Sequence, residues 1–388
     1  MADNTLPITD HPSPITIGIT GQSGFIGTHL ANTIYLYKDK YKLIQFEDSY
    51  FQNEDLLKNF VTRCDVIVHL AALNRHSNPE EILRTNVILV EKLINALEST
   101  NSKPHIIFSS STQEERENAY GSSKKIGREL FEKWANRNNA NFTGLIIPNV
   151  FGPFGVPFHN SFISTFGHQL THNLEPKIEI DAKVGLIYVS ELVKEILSII
   201  DKNGSGNQIK RLEETSIHKV SDILMLMNTF KKEYLEQGMI PDLDSSFKIN
   251  LFNTFRSYID LKDHFPFKYK LNIDERGTFV EIMKLQTGGQ VSYSTTKPGI
   301  TRGNHFHTRK IERFAVIQGE AVIKMRKINT AEILEFKLSG NEPSFVDMPI
   351  WYTHNITNIG NEELITVFWI NEFYDHNDSD TFYETVEE

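Results

Sequence analysis

Three clusters in this sequence have residue types and spacings that could do chemistry. The first is Tyr120 with Lys124, which share one helix face a turn apart, shortly after a strand that ends in Ser109, Ser110 and Ser111. An ammonium beneath a phenol favours phenolate and lowers the Tyr pKa. The pair therefore reads as a general acid or base for carbonyl reduction. A serine hydroxyl from that strand end would hold the reacting oxygen.

The second cluster is Gly21, Gly24 and Gly27, with Phe25 and Ile26 between the last two, directly after the first apolar run. That spacing allows a tight turn, a bare backbone against a pyrophosphate and close packing of the next helix, whose first N–H groups point at the phosphates. It predicts a dinucleotide site. Glu47 or Asp48, closing the second strand, would accept from a ribose 2′-hydroxyl and repel a 2′-phosphate, which favours NADH.

The third cluster is His305, His307, Glu312 and His354. The first two are spaced i, i+2 and point to one side of a strand, into a barrel. Glu312 can return on the next strand, and His354 joins from the stretch Pro349 to Asn358. Three imidazoles and a carboxylate suit Zn, Ni, Fe or Mn with open positions, and zinc is the expected divalent metal. His264 and His376 read as solvent-exposed.

Regular elements must position these groups. Ile15–Thr20, Lys42–Phe46, Val66–Leu70, His105–Ser109 and Phe142–Ile147 read as strands, short β-branched or aromatic runs of a buried parallel sheet. Ile26–Tyr37, Asn53–Thr62, Ile82–Ser99 and Ser123–Asn136 have helical spacing. Alternation of the two predicts an α/β, Rossmann-like doubly wound parallel sheet. The less regular stretch from about Phe151 to Phe255 holds an amphipathic helix at Ser221–Gln237 and a surface loop at Asp201–Asn207, and is expected to hold substrate. After Leu261–Lys270 short strands alternate with turn glycines, which predicts an all-β barrel. The domains expected are a flexible tail at 1–14, a dinucleotide-binding domain at 15–262 with its substrate part from about 151, and a barrel at 263–388.

With 388 residues, two domains are the default. A net charge of −10, from 50 acidic against 40 basic residues, leaves no basic surplus for nucleic acid. The single cysteine, Cys64, reads as a packed thiol, and no run reaches the roughly 18 apolar residues that span a bilayer. A cytoplasmic location with no membrane partner is expected.

On the residues above, the first part of the chain resembles the extended short-chain dehydrogenase/reductase (SDR) superfamily. Ser111, Tyr120 and Lys124 fall on its catalytic Ser/Thr and YxxxK pair. Val68-His69-Leu70-Ala71-Ala72, Asn86 and Pro148-Asn149-Val150-Phe151-Gly152-Pro153 fall on its cofactor-lining motifs. The resemblance thus adds Leu70, Ala71, Ala72, Asn86 and Asn149 to the cofactor-binding set, beside Tyr120 and Lys124. Gly299, His305, His307, Glu312 and Gly319 match the first cupin motif. Pro349, His354 and Asn358 match the second, with Trp351 where glycine is usual.

The fusion, with its short Ser111-to-Tyr120 gap, resembles the CapF/WbjC-type enzymes of capsular and O-antigen polysaccharide synthesis. That resemblance implies a cupin that epimerises C3 of UDP-2-acetamido-2,6-dideoxy-4-hexulose and an SDR domain that reduces C4 with NADPH, towards UDP-N-acetyl-L-fucosamine. NADPH there and NADH from the acidic pair keep both cofactors open. A homodimer is expected. Two other readings remain: a single-activity reductase or epimerase with a structural, dimerising cupin, and a non-catalytic cofactor-binding protein.

Overall fold

The computed structural model describes residues 13–202 and 206–387, so the expected tail lies outside it except for Ser13 and Pro14. The chain forms two compact units: Met1–Val150 with Gly185–Ile217, and Phe151–Val184 with His218–Glu388. This division differs from the boundary expected at 262/263, because residues 151–184 and 218–262 group with the barrel. The reason is visible in the helix Ser246–Arg256. Its buried Arg256 donates to Met348 O at 3.0 Å, and Asn253 Nδ2 donates to Arg309 O at 3.0 Å.

The first unit is built on six parallel strands: β1 (Ile15–Thr20), β2 (Tyr41–Ile44), β3 (Val66–His69), β4 (His105–Ser111), β5 (Phe142–Ile147) and β6 (Asn207–Arg211). Their order is β2-β1-β3-β4-β5-β6. Helices α1 (Phe25–Leu36), α2 (Glu54–Val61), α3 (Pro79–Thr100), α4 (Ala119–Asn138) and α5 (Val189–Lys202) connect and cover them. One face buries Phe60, Leu93, Phe108 and Trp134; the other buries Ile17, Val68, Leu145 and Ile196. A sheet covered on both faces needs continuous apolar runs, which residues 66–68 in β3 and 106–108 in β4 supply.

Helix ends follow local chemistry. Asn78 Oδ1 accepts from Glu80 N at the start of α3, Pro79 takes the first turn, and Asn101 closes the helix in the left-handed region. The structure trims β2 before Phe46, which turns inward against Phe51 and Phe60, and extends β4 to Ser111. The polar β6 was not expected at all. The helix expected at Ser221–Gln237 runs Val220–Phe230 and continues as a π-helical turn over Lys231–Glu236.

The second unit holds two antiparallel sheets that form the barrel. Its strands are β7 (Gln290–Thr296), β8 (Thr301–Phe306), β9 (Glu312–Gln318) and β10 (Glu320–Lys327). They continue with β11 (Ile333–Ser339), β12 (Ser344–Met348), β13 (Tyr352–Asn358) and β14 (Leu364–Ile370). One sheet runs Phe267–Lys268, β12, β9, β14, β7; the other runs β11, β10, β13, β8, Phe382–Tyr383. Ala315, Val316, Ile323, Met325, Phe345 and Ile356 fill the core between them.

Candidate functional site

The glycine turn is built as its spacing predicts. Gly21 has φ 71, and a Cβ there would stand 2.9 Å from the Ala71 Cα and N. A Cβ on Gly27 would stand 2.2 Å from Gly21 O, so only bare backbone fits. Helix α1 begins at Phe25 with no side-chain cap and no acidic residue in its first turn. The N–H groups of Phe25 and Ile26 are thereby left to an anion. Leu70 N donates to Thr20 O at 3.1 Å and Ala71 N to Thr20 Oγ1 at 3.4 Å, which ties the Leu70-Ala71-Ala72 loop to the end of β1. Glu47 and Asp48 are exposed just past β2, with Glu47 directly before the turn Asp48–Gln52 and its side chain making no cap bond there.

Tyr120 and Lys124 lie on one face of α4, with Lys124 Nζ 5.6 Å from the Tyr120 ring centroid. Lys124 is buried, which lowers its pKa to about 8, and it donates to Ser109 Oγ at 3.4 Å. The expected lowering of the Tyr120 pKa is not what this structure holds. Burial pushes the phenol up to about 12, because taking a phenolate out of water is costly, and the Lys124 hydrogen bond goes to Ser109 instead. Tyr120 is therefore a protonated acid at neutral pH, the state a carbonyl reduction uses. Ser111 Oγ accepts from Gln113 N at 3.2 Å and starts the turn Thr112–Glu115.

Asn86 makes its bonds within the protein. Its amide donates to Leu73 O at 3.0 Å and Ser123 Oγ at 2.9 Å, and its carbonyl accepts from Leu73 N at 2.6 Å. It therefore holds the loop at Leu73 against α4 rather than offering a free amide to a ligand. Asn149 Nδ2 donates to Gly185 O at 3.1 Å on the exposed rim of the same unit. Buried His69, whose pKa burial lowers to about 3 with help from the Lys124 charge, meets Thr20 Oγ1 at 2.9 Å and stacks on Phe108.

The barrel brings its four residues together. One ligand atom from each of His305, His307, Glu312 and His354 lies within 4.8 Å of the others. Glu312 Oε2 is 3.0 Å from His307 Nε2, 3.2 Å from His354 Nε2 and 3.9 Å from His305 Nε2. Two ligands of one tetrahedral zinc stand about 3.4 Å apart, so these spacings suit a shared ion. His307 Nδ1 faces Asp380 O at 2.6 Å and His354 Nδ1 faces Tyr352 O at 3.2 Å. A carbonyl only accepts, so each Nδ1 carries the proton and each Nε2 lone pair points inward. Those two Nε2 atoms and Glu312 Oε2 are buried with no hydrogen-bond partner. The donor set fits a divalent metal. Burial raises the Glu312 pKa, but imidazoles that take up a second proton at Nε2 outweigh it and hold the carboxyl well below its usual range. Burial also lowers His354, whereas at His307 the Glu312 carboxylate overcomes burial and raises the pKa.

Comparison with known proteins agrees with this layout. Residues 17–211 match the NAD dependent epimerase/dehydratase family, and residues 272–382 match the polysaccharide biosynthesis C-terminal domain. The capsular polysaccharide assembling protein CapF of Staphylococcus aureus is 33% identical, with 96% of this chain and 100% of that chain covered and a TM-score of 0.61. The chain belongs to the NAD-dependent epimerase/dehydratase family, as a CapF-type member. CapF crystallised with the inhibitor 3-isopropenyl-tropolone is similar at 30% identity and a TM-score of 0.57, over 96% of this chain and 100% of that one. A Pseudomonas aeruginosa protein named UDP-2-acetamido-2,6-beta-L-arabino-hexul-4-ose reductase is 29% identical over 369 residues, 94% of this chain and 97% of that protein. This CapF-type chain is thus an NAD(P)-dependent enzyme. Among its described residues no helix is long and apolar enough to cross a membrane.

Supports of these sites were not foreseen. The short Ser111-to-Tyr120 gap is closed by a buried pair: Arg128 Nε and Nη2 donate to Glu114 at 3.1 and 3.2 Å, and Ser110 Oγ donates to Glu114 at 2.6 Å. A Cβ on Gly121 would stand 1.9 Å from Gln113 O, so the first turn of α4 lies directly on the Thr112–Glu115 turn. The one available signal was Arg128, a further helical turn beyond Lys124. In the barrel, Trp351 adopts φ 63, the conformation that explains a usual glycine, and stacks on Phe306. Among the scattered histidines, His376 is exposed as expected, but His264 is packed against Tyr234, Phe265 and Phe267.

Proposed function

We propose that this chain is a bifunctional nucleotide-sugar enzyme. Its barrel epimerises C3 of UDP-2-acetamido-2,6-dideoxy-4-hexulose, and its sheet domain then reduces the C4 ketone, towards UDP-N-acetyl-L-fucosamine for a surface polysaccharide. One observation carries the reading: a single chain holds both Tyr120 beside Lys124 and three inward imidazoles around Glu312. Two relatives support it. One is named for reduction of a UDP-hexul-4-ose. The other, CapF, takes a tropolone, whose adjacent ketone and hydroxyl oxygens can chelate a divalent ion.

When bound, NAD(P)H supplies the hydride for C4. The protein does the rest of the reduction. Tyr120 delivers its phenolic proton to the C4 oxygen as negative charge builds there, and the Lys124 ammonium favours that charge. Ser111 Oγ sits at the end of β4 to hold the same oxygen.

Epimerisation needs loss of the C3 proton, which the neighbouring C4 ketone makes acidic, and its return to the other face. A divalent ion, when bound, supplies a Lewis acid in the barrel. His305, His307, Glu312 and His354 would hold it, and His305, the most exposed of the four, marks the side open to substrate. Reduction removes the ketone that makes C3 acidic, so the order is epimerisation first. A homodimer is the assembly we expect of this enzyme.

The test is incubation with the UDP-4-hexulose in D2O, with and without NADH or NADPH. Deuterium should enter C3 without cofactor, and adding cofactor should give the C4 alcohol. Reduction with no C3 exchange would instead mean a single-activity reductase with a structural barrel.

A further inference from the structure

Residues 380–386 run along the barrel beside the proposed metal ligands, and no motif assigns them a role. Asp380 is buried, with φ 43. Its main-chain carbonyl accepts from His307 Nδ1 at 2.6 Å. Its carboxylate is held by the backbone that follows His307: Oδ2 accepts from Arg309 N and Lys310 N, each at 3.0 Å, and Oδ1 from Thr308 Oγ1 at 2.6 Å. Three residues of one turn therefore fix the carbonyl that sets one imidazole.

The contact continues along the tail. Tyr383 pairs with His305 and Phe382 with Phe306, in antiparallel register. Glu384 N donates to Asn304 O at 3.0 Å, and Thr353 Oγ1 donates to Glu384 O beside His354. Arg326 anchors the end, donating to Val386 O at 2.9 Å and Thr385 O at 2.8 Å. The strap thus meets His307 directly, His305 through strand pairing, and His354 through the residue before it.

We infer that residues 380–386 are a positioning strap of the metal centre. The strap presets the His307 tautomer and the backbone that carries His305 and His354. The inference rests on the metal reading of the barrel proposed above. Donors held in place before binding lose less freedom when the ion arrives, and partners that orient a ligating imidazole are worth about 10- to 100-fold in metal affinity. The coupling is reciprocal, so a bound ion must also hold the strap.

The experiment titrates metal-free full-length protein with zinc chloride against a chromophoric chelator. Wild type, Asp380→Ala and His307→Ala are compared, with far-UV circular dichroism as the check on folding. Asp380→Ala is expected to weaken zinc binding about 10- to 100-fold at unchanged stoichiometry, and His307→Ala to weaken it further. Equal affinity in wild type and Asp380→Ala, with His307→Ala impaired, overturns the strap and leaves the metal site standing. A wild type that takes up no zinc overturns both. Hydrogen exchange on wild-type protein gives an answer that does not depend on variants folding. Zinc should slow exchange at the Glu384 and Val386 amides at least tenfold, and unchanged exchange there on zinc binding overturns the strap.

Discussion

Lys124 Nζ meets Ser109 Oγ at 3.4 Å, so the buried ammonium rests on the first serine of Ser109-Ser110-Ser111 while the last keeps a local turn bond. Burial lowers Lys124 from 10.5 to about 8 and raises Tyr120 to about 12. Reduction needs both groups protonated. Tyr120 stays so throughout the neutral range, and Lys124 does so only below about 8. The rate of ketone reduction is therefore expected to fall as pH rises through 8. A profile flat to pH 10 would remove Lys124 from the chemistry.

The same shift has a stability side. The folded-state pKa of Lys124 lies below its unfolded value, so the charged form costs stability at neutral pH. That cost is relieved between about pH 8 and 10.5. The fall from 10.5 to about 8 corresponds to about 3 kcal/mol. Lys124→Met should accordingly raise the thermal midpoint at pH 7 while abolishing reduction. A lower midpoint would show that the lysine is held by more than Ser109.

Cofactor choice tests the strand-end acids. Glu47 and Asp48 are exposed just beyond β2, where a ribose is read in this sheet topology. NADH should bind at least as tightly as NADPH, and Asp48→Arg should move the preference towards NADPH. Dissociation constants from fluorescence titration decide it. A strong wild-type preference for NADPH would mean that the acids face away from the ribose.

Trp351 occupies a backbone position with φ 63 and is buried against Phe306, its main-chain N–H donating to His307 O at 2.8 Å. Glycine there would relieve about 1–2 kcal/mol of left-handed strain. Losing a buried Trp ring costs about 3–5 kcal/mol. Packing wins, so Trp351→Gly should destabilise the protein by about 1–4 kcal/mol, read as a lower urea midpoint. A more stable variant would show that the ring packs poorly.

The legible parts of this chain are those where one residue's type decides the outcome. The β-branched runs of β1 and β5 have the expected limits, since strands buried on both faces tolerate little else. The glycine turn and the barrel histidines were legible because few residues do their work. Strand β6 was hidden because Asn207-Gln208-Ile209-Lys210-Arg211 lies on the sheet edge, half in water, and shows no apolar pattern. The Arg313–Asp347 pair was hidden too. Both residues are fully buried, yet in the sequence they look like ordinary surface charges. Asp380 was illegible for a different reason: it acts on His307 through a main-chain carbonyl, which every residue has.

The proposed division of labour predicts that the two activities fail separately. The Tyr120–Lys124 pair belongs to the unit of the parallel sheet, and the histidine cluster belongs to the unit of the barrel. Tyr120→Phe removes only the proton donated during hydride transfer, so NAD(P)H oxidation should fall by about 10²- to 10⁴-fold. Cofactor binding and deuterium entry at C3 should stay near wild type. His305→Ala with His307→Ala removes two of four donors, so metal content by elemental analysis and C3 exchange should both be lost. That variant should still bind NAD(P)H, because the glycine turn belongs to the other unit. The decisive comparison is exchange in the metal-free double variant. If C3 still exchanges at the wild-type rate there, the ion only staples the barrel, and the base lies elsewhere among its residues.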